Sequence, residues 1–297
     1  MTTRRRAVLA AMTGAVLAGC AGPRTGTSGT TSPSSSRMAP TPTATGIATT
    51  RPSATARPSA PAVSRAEIVA RFGHAVPHTW GFDAPGVLHK LPVAGKRQIA
   101  LTFDACGGRG GSGYDRALID FLRAHDVPAT LFLNSRWIDA NPAVFRKLAA
   151  EPLFEIANHG TRHRPLSVTG RSAYGIPGTR NAAEVYDEIA GNRAKLTELL
   201  GGPPRFFRSG TAYCDDVAAR IVTALGERFV SFSVNGDAGA TFTPEQVRTT
   251  VASAPAGSIV ICHMNHPEGG TAHGIAAAVP RLLTTGHTFV RLSDALH

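Results

Sequence analysis

From Ser64 onward, short apolar runs alternate with stretches whose apolar residues recur at helical spacing. Arg97–Phe103 and Ala129–Asn134 are compact and partly β-branched, which suits strands of a parallel sheet buried on both faces. Between them, Tyr114–His125 places Leu118, Phe121 and Leu122 on one helical face. The pattern continues with a strand at Phe154–Asn158 and a long helix at Asn181–Leu200. That helix turns Val185, Ile189, Leu196 and Leu199 or Leu200 inward and stops at Gly201 and Pro203. Strands at Arg205–Arg208, Phe229–Val234, Ser258–His263 and His287–Leu292 are separated by helices at Asp215–Leu225 and Ile275–Leu283. Strand–helix alternation of this length predicts an α/β fold on a parallel sheet, either closed as a barrel or open and doubly wound.

The first 63 residues follow different rules. Arg4-Arg5-Arg6 precedes the short apolar stretch Ala7–Leu17 and then Leu17-Ala18-Gly19-Cys20, the parts of an export signal. Its end resembles a lipobox, which implies lipidation of Cys20 in a bacterial lipoprotein. Thr3–Leu9 also resembles a twin-arginine signal. An uncleaved anchor and the general secretory route are the competing readings. Residues 21–63 are almost wholly Ala, Ser, Thr, Pro and Gly with no aromatic residue, too little apolar surface to offset chain entropy, and predict a disordered linker. The expected organisation is a signal peptide at 1–20, a linker at 21–63, an extension at 64–96 that packs on the barrel, and a catalytic domain at 97–297. The protein is then exported and held by lipid at the outer face of the cytoplasmic membrane, or secreted.

Charge changes the picture only after it is located. The formal +11 of the 297 residues includes seven Arg and no acid within residues 1–63, leaving +4 on the rest, scattered rather than striped. That excludes a nucleic-acid partner of the usual kind. Hydrophobic residues at 42% and charged residues at 17% exclude wholesale disorder. No apolar run reaches the roughly 18 residues of a membrane span.

Chemically capable residues fall just past predicted strand ends: Asp104, His159, Arg208, Asp237 and His263. In parallel α/β folds these ends converge on one face, where active sites are built. His159 and His163 are four residues apart, so on a helical turn or in a tight loop both reach one metal ion. Two imidazoles and a carboxylate leave an open position that lowers the pKa of a bound water. Asp104 is then the candidate base and His263 the candidate acid. Asp237 holds His263 protonated and Arg208 keeps Asp104 ionised, with ordinary salt bridges as the bland reading.

Leu101-Thr102-Phe103-Asp104, Asn158–His163, Phe207-Arg208, Asp237 and Gly257–His263 resemble, in order, the five motifs of the polysaccharide deacetylases. This is the NodB-homology group, carbohydrate esterase family 4. The resemblance runs from about Gln98 to the C-terminus. It implies a distorted parallel (β/α) barrel, a divalent metal (zinc, or cobalt, nickel or manganese), and removal of acetyl groups from an acetylated polysaccharide. Peptidoglycan follows from the expected location. It implies His159 and His163 as metal ligands, Asp104 as base, His263 as acid, and Arg208 and Asp237 in support. The family's first motif has two adjacent acids; here the second is Ala105. Asp104 itself, a Cys106 thiolate, or loss of the metal are the three ways to accommodate it, the last giving an inactive barrel that binds cell-wall glycan. Ser209-Gly210-Thr211 also replace the expected prolines and aromatic, and the fourth motif lacks its Trp, leaving Ile261 as part of the pocket wall.

Of the four cysteines, Cys262 is expected to point away from the site, and Cys106 with Cys214 is the candidate disulfide of an oxidising compartment. Gly108–Gly113 satisfies G-x-G-x-x-G, but the acid expected about 20 residues on is missing, so a glycine-rich loop at a substrate groove is the better reading. His266, Glu268 and His273 form a polar loop that lines the groove or is simply solvated.

Overall fold

The computed structural model describes residues 63–92 and 96–296; the predicted signal, Cys20 and nearly all of the predicted linker lie outside the described residues. Its strands are β1 Trp80–Gly81, β2 Gln98–Ala105, β3 Ala129–Leu133, β4 Phe154–Asn158, β5 Phe206–Phe207, β6 Cys214–Asp215, β7 Arg228–Phe229, β8 Val234–Asn235, β9 Ile259–His263 and β10 Thr288–Phe289. Eight form one parallel sheet in the order β7-β5-β4-β3-β2-β9-β8, with β10 beside the start of β2, while β1 and β6 pair antiparallel.

The central strand β2 shows how the sheet divides its faces. Ile99, Leu101, Phe103 and Ala105 belong to an outer core with Leu118, Ile119 and Leu122 of the Arg116–Ala124 helix and Ile275, Val279 and Leu282 of the Thr271–Thr284 helix. Ala100 joins an inner cluster with Phe132, Ala157, Phe206, Val230, Ile259, Leu292 and Leu296. The two-residue alternation of a strand carries Thr102 and Asp104 along the same inner side toward the carboxyl end. The result is a distorted parallel (β/α) barrel plugged by apolar side chains below and polar above.

The expected strand Phe229–Val234 is divided. Arg228–Phe229 pairs with β5 on one edge of the sheet, and Val234–Asn235 pairs with β9 on the other. The few residues between them span the seam, and the 64–96 extension fills it. Leu88 N donates to Phe229 O (2.8 Å), Ser231 N to Leu88 O (2.7 Å) and Leu91 N to Gly257 O (2.8 Å). Leu91 enters the inner cluster and Leu88 packs against it. The extension therefore satisfies backbone groups that a gap in the barrel would leave unpaired.

Four helices of six residues or more escape the periodicity reading, although each has a local start signal. Arg65–Phe72 begins with a Ser64–Glu67 capping box and Pro244–Ala252 with a Thr243–Gln246 box. Ser135–Ala140 is capped by Asn134, whose side chain accepts from Arg136 N. Pro142–Ala150 then follows with proline in its first turn.

Candidate active site

Register brings the strand-end residues together. Asp104 on β2 is the direct partner of His263 on β9, and Asn158 on β4 is the partner of Phe207 on β5. His159 and Arg208, one residue further along, are therefore neighbours. All five strand-end residues of the sequence analysis occupy one end of the barrel.

Asp104 and Arg208 form a buried pair. Arg208 donates to Asp104 Oδ1 (2.7 Å), to Thr102 Oγ1 (2.9 Å), and to the carbonyl oxygens of Val230 (3.2 Å) and Ser231 (2.9 Å). Its guanidinium carbon sits 4.1 Å from the centroid of Phe132, so an apolar ring supports the charge from below. Burial opposes ionisation of Asp104, but the charges of Arg208, His159 and His263 outweigh it and hold the carboxyl below its ordinary value.

His159 and His163 bracket a tight loop, not a helical turn. Glu188 holds the loop by its backbone, accepting from the N–H groups of Arg162 (2.9 Å) and Arg164 (3.2 Å). Asn134 donates to the carbonyl oxygens of His159 (2.9 Å) and Gly160 (2.8 Å). Gly160 has φ 75°, and a Cβ there would lie 2.6 Å from the Glu188 carboxylate. Gly210 is as tightly placed: its Cβ would come within 2.3 Å of the His163 backbone.

The ring chemistry of His159 is set by its outer contact. Its Nδ1 donates to the carbonyl oxygen of Arg208 (3.0 Å), which leaves Nε2 with its lone pair facing inward. That atom lies 3.5 Å from Asp104 Oδ2 and 3.9 Å from Cys106 Sγ. His163 Nε2 is buried and has no hydrogen-bond partner. Donor atoms of Cys106, His159 and His163 all lie within 4.8 Å of one another. Burial opposes ionisation of the Cys106 thiol, yet the charge of His163 and the hydrogen bond with His159 bring it well below its ordinary value. Converging lone pairs with one orphaned nitrogen call for a cation between them, so the residues present fit a divalent metal. Asp104, the sequence's first alternative for the third ligand, has one oxygen committed to Arg208 and is not among the three residues whose donors converge.

Across the cleft, His263 Nδ1 lies 2.9 Å from Asp237 Oδ1. Asp237 Oδ2 accepts from the His263 backbone N–H (2.6 Å) and from Thr271 Oγ1 (2.9 Å). Burial lowers the His263 pKa, but the Asp237 carboxylate raises it well above the ordinary value. His263, Asp104, Cys106 and His163 line a cleft of about 650 Å³, with Ile261 and Phe232 as apolar wall.

The expected Cys106–Cys214 disulfide is absent: both are free thiols. Cys214 lies on β6 in an apolar cluster with Leu166, Val217 and Ile221, while Cys106 faces the histidines. Cys262 sits in the outer core, and burial pushes its thiol well above the ordinary value. Glycines 107, 110 and 111 line the cleft. The helix that follows starts on the Asp115 carboxylate, which accepts from Leu118 N and takes the position an anion would need. His266 lines the cleft and pairs with the exposed Glu268 at 3.2 Å; His273 is exposed. Periodicity and motif spacing did not reveal Glu188, Thr271 or the Asn158–Glu227 contact behind His159 (3.1 Å), because each acts across more than 20 residues of chain.

A family model described as polysaccharide deacetylase matches residues 92–230. A chitooligosaccharide deacetylase of Bradyrhizobium sp. is 31% identical over 60% of this chain and 75% of its own. A peptidoglycan-N-acetylmuramic acid deacetylase of Bacillus subtilis is 22% identical over 74% of this chain and 86% of its own. The chain spans 30% of a bifunctional xylanase/deacetylase of Pseudobutyrivibrio xylanivorans, at 22% identity over 67% of this chain. Among solved structures, a CE4 family pseudoenzyme from Bacillus anthracis superposes with a TM-score of 0.60 at 20% identity, covering 72% of this chain and 70% of its own, a likeness of fold.

Proposed function

The chain belongs to the polysaccharide deacetylase family, and from that premise we propose that it is a metal-dependent hydrolase removing acetyl groups from an N-acetylated envelope glycan. The observation that carries the reading is the convergence of Cys106, His159 and His163 beside the Asp104–Arg208 pair and opposite His263. Cys106 supplies the third donor that Ala105 cannot, and one thiolate with two imidazoles suits zinc. Held by Cys106, His159 and His163, a divalent metal would supply an acidified water and Lewis-acid polarisation of the acetyl carbonyl.

The remaining chemistry falls to side chains. Asp104, kept ionised by Arg208, accepts the proton of the attacking water at Oδ2, because Oδ1 is held by the guanidinium. His263, kept protonated by Asp237, donates its Nε2 proton to the leaving nitrogen as the carbon–nitrogen bond breaks. Ile261 and Phe232 shelter the acetyl methyl in place of the missing Trp.

Peptidoglycan is the proposed substrate because residues 1–20 resemble an export signal ending at Cys20. Lipid attachment at Cys20 would hold the domain beside the wall. The deciding experiment is elemental analysis of the full chain, purified without chelator, followed by acetate release from N-acetylglucosamine oligomers and from peptidoglycan. About one zinc per chain with acetate release is expected. A metal-free protein that binds glycan without releasing acetate would replace this reading with an inactive glycan-binding barrel.

A further inference from the structure

Aromatic side chains continue outward from the cleft along one rim. Phe232, in the cleft wall, stacks on Phe82 with centroids 5.4 Å apart and planes 12° apart. Phe82 meets Tyr213 edge-on at 5.8 Å. Tyr213 in turn contacts Trp80 at 5.8 Å and Tyr174 edge-on at 5.5 Å. Tyr174 also lines the cleft, so the strip is continuous with the proposed site. These rings come from the 64–96 extension, the turn at Ala173–Ile176, the loop after β5 and the seam between β7 and β8.

The packing of the fold does not account for them. None belongs to the three buried apolar clusters, and Tyr174 and Phe82 are 75% and 37% exposed. Tyr174 also sits at φ 52°, a backbone region that a bulky side chain rarely adopts and that Gly or Asn fills at less cost. Backbone bonds in both directions between Ala173 and Ile176 (3.2 and 2.9 Å) close the turn and hold its ring outward. Arg171 caps Trp80 at 5.1 Å from the ring centroid.

We propose that this rim is a glycan subsite, where pyranose rings neighbouring the acetylated sugar stack their apolar C–H faces on Tyr174 and Phe82. The assignment rests on the deacetylase reading of the adjoining cleft, because the occupant is the same polymer. Rigid aromatic faces with polar tips suit such rings: the sugar's carbon face is buried and its hydroxyls stay wet. The 64–96 extension then has a second task besides sealing the barrel, which is to select polymer over free sugar.

The test compares the full chain with its Tyr174→Ala, Phe82→Ala and Tyr174→Trp variants. Binding of a β-1,4-linked N-acetylglucosamine tetramer and of the monosaccharide is measured by NMR titration, and turnover of 4-nitrophenyl acetate is measured in parallel. Tetramer affinity should fall about tenfold in each Ala variant and persist in Tyr174→Trp. Ester turnover should stay within about twofold in Phe82→Ala, since Phe82 lies outside the cleft lining. Unchanged tetramer affinity, a tetramer bound no more tightly than the monosaccharide, or loss of ester turnover in Phe82→Ala parallel to its loss of tetramer affinity would each overturn the proposal. Failure of the deacetylase reading is a separate result: a parent that binds tetramer but releases no acetate.

Discussion

Arg208 donates to Asp104 Oδ1 at 2.7 Å, and both side chains are almost wholly buried at the carboxyl end of the barrel. Two opposite charges out of water stabilise one another only as a pair, and removing one leaves the other uncompensated. Arg208→Met should therefore cost about 3–5 kcal/mol of folding free energy, measured by denaturant titration. The same variant should raise the Asp104 pKa and weaken the proposed base. A change below about 1 kcal/mol would mean that Asp104 finds another partner.

Cys106 is the residue on which the metal reading turns. Contacts around a ligand commonly alter affinity about 10–100-fold, so loss of a ligand itself should cost about 100-fold or more. Cys106→Ala should bind zinc far more weakly in competition with a chelator, and Cys106→Asp should retain part of the affinity. In the cobalt-substituted protein, the near-ultraviolet thiolate-to-metal band should vanish in both. Retention of that band without Cys106 would assign the sulfur elsewhere.

Gly210 stands where any side chain meets the His163 backbone at 2.3 Å. Gly210→Ala should push the His163 loop outward and lower metal affinity by more than about tenfold. Gly202→Ala, with no atom within 4 Å of its Cβ, is the control and should leave affinity unchanged.

The His263–Asp237 pair sets a pH limit. Asp237 raises the His263 pKa, so with His263 as the proposed acid kcat/KM should be lost only as pH rises through that raised value. In Asp237→Asn the alkaline limb should move down by at least about one pH unit. An unmoved limb would identify a different general acid.

Glu227, which accepts from Asn158 Nδ2 (3.1 Å) and lies 3.5 Å from Arg193 Nε, titrates against the fold. Burial pushes its carboxyl up to about 8, more than the Asn158 hydrogen bond and the Arg193 charge pull it down. A folded value above the ordinary 4.5 means that the folded state holds the proton more tightly. The resulting stabilisation is complete below that ordinary value and is lost as pH rises through about 8. Glu227→Gln cannot ionise, so its Tm should match the parent's near pH 4 and exceed it increasingly toward about pH 9. Equal Tm at both ends would mean that folding does not raise the Glu227 pKa.

The amino-acid sequence by itself determined the strand–helix alternation, the polar residues at strand ends and the His159–His163 pair. Each is a local pattern, written within a single strand, helix or loop. It also marked Ala105 as a departure and offered Cys106 as one repair. Only the tertiary structure decided which donors converge, because Cys106, His159 and His163 meet through the pairing of β2, β3 and β4. It likewise separated Cys214 from Cys106, and divided Phe229–Val234 between opposite edges of the sheet. The extension's place in the seam and the meeting of Phe82, Tyr174 and Tyr213 had no local signature either. Such contacts depend on how far the sheet curls before it closes, a sum of strand twist and side-chain volume over the whole barrel that no single stretch of chain encodes.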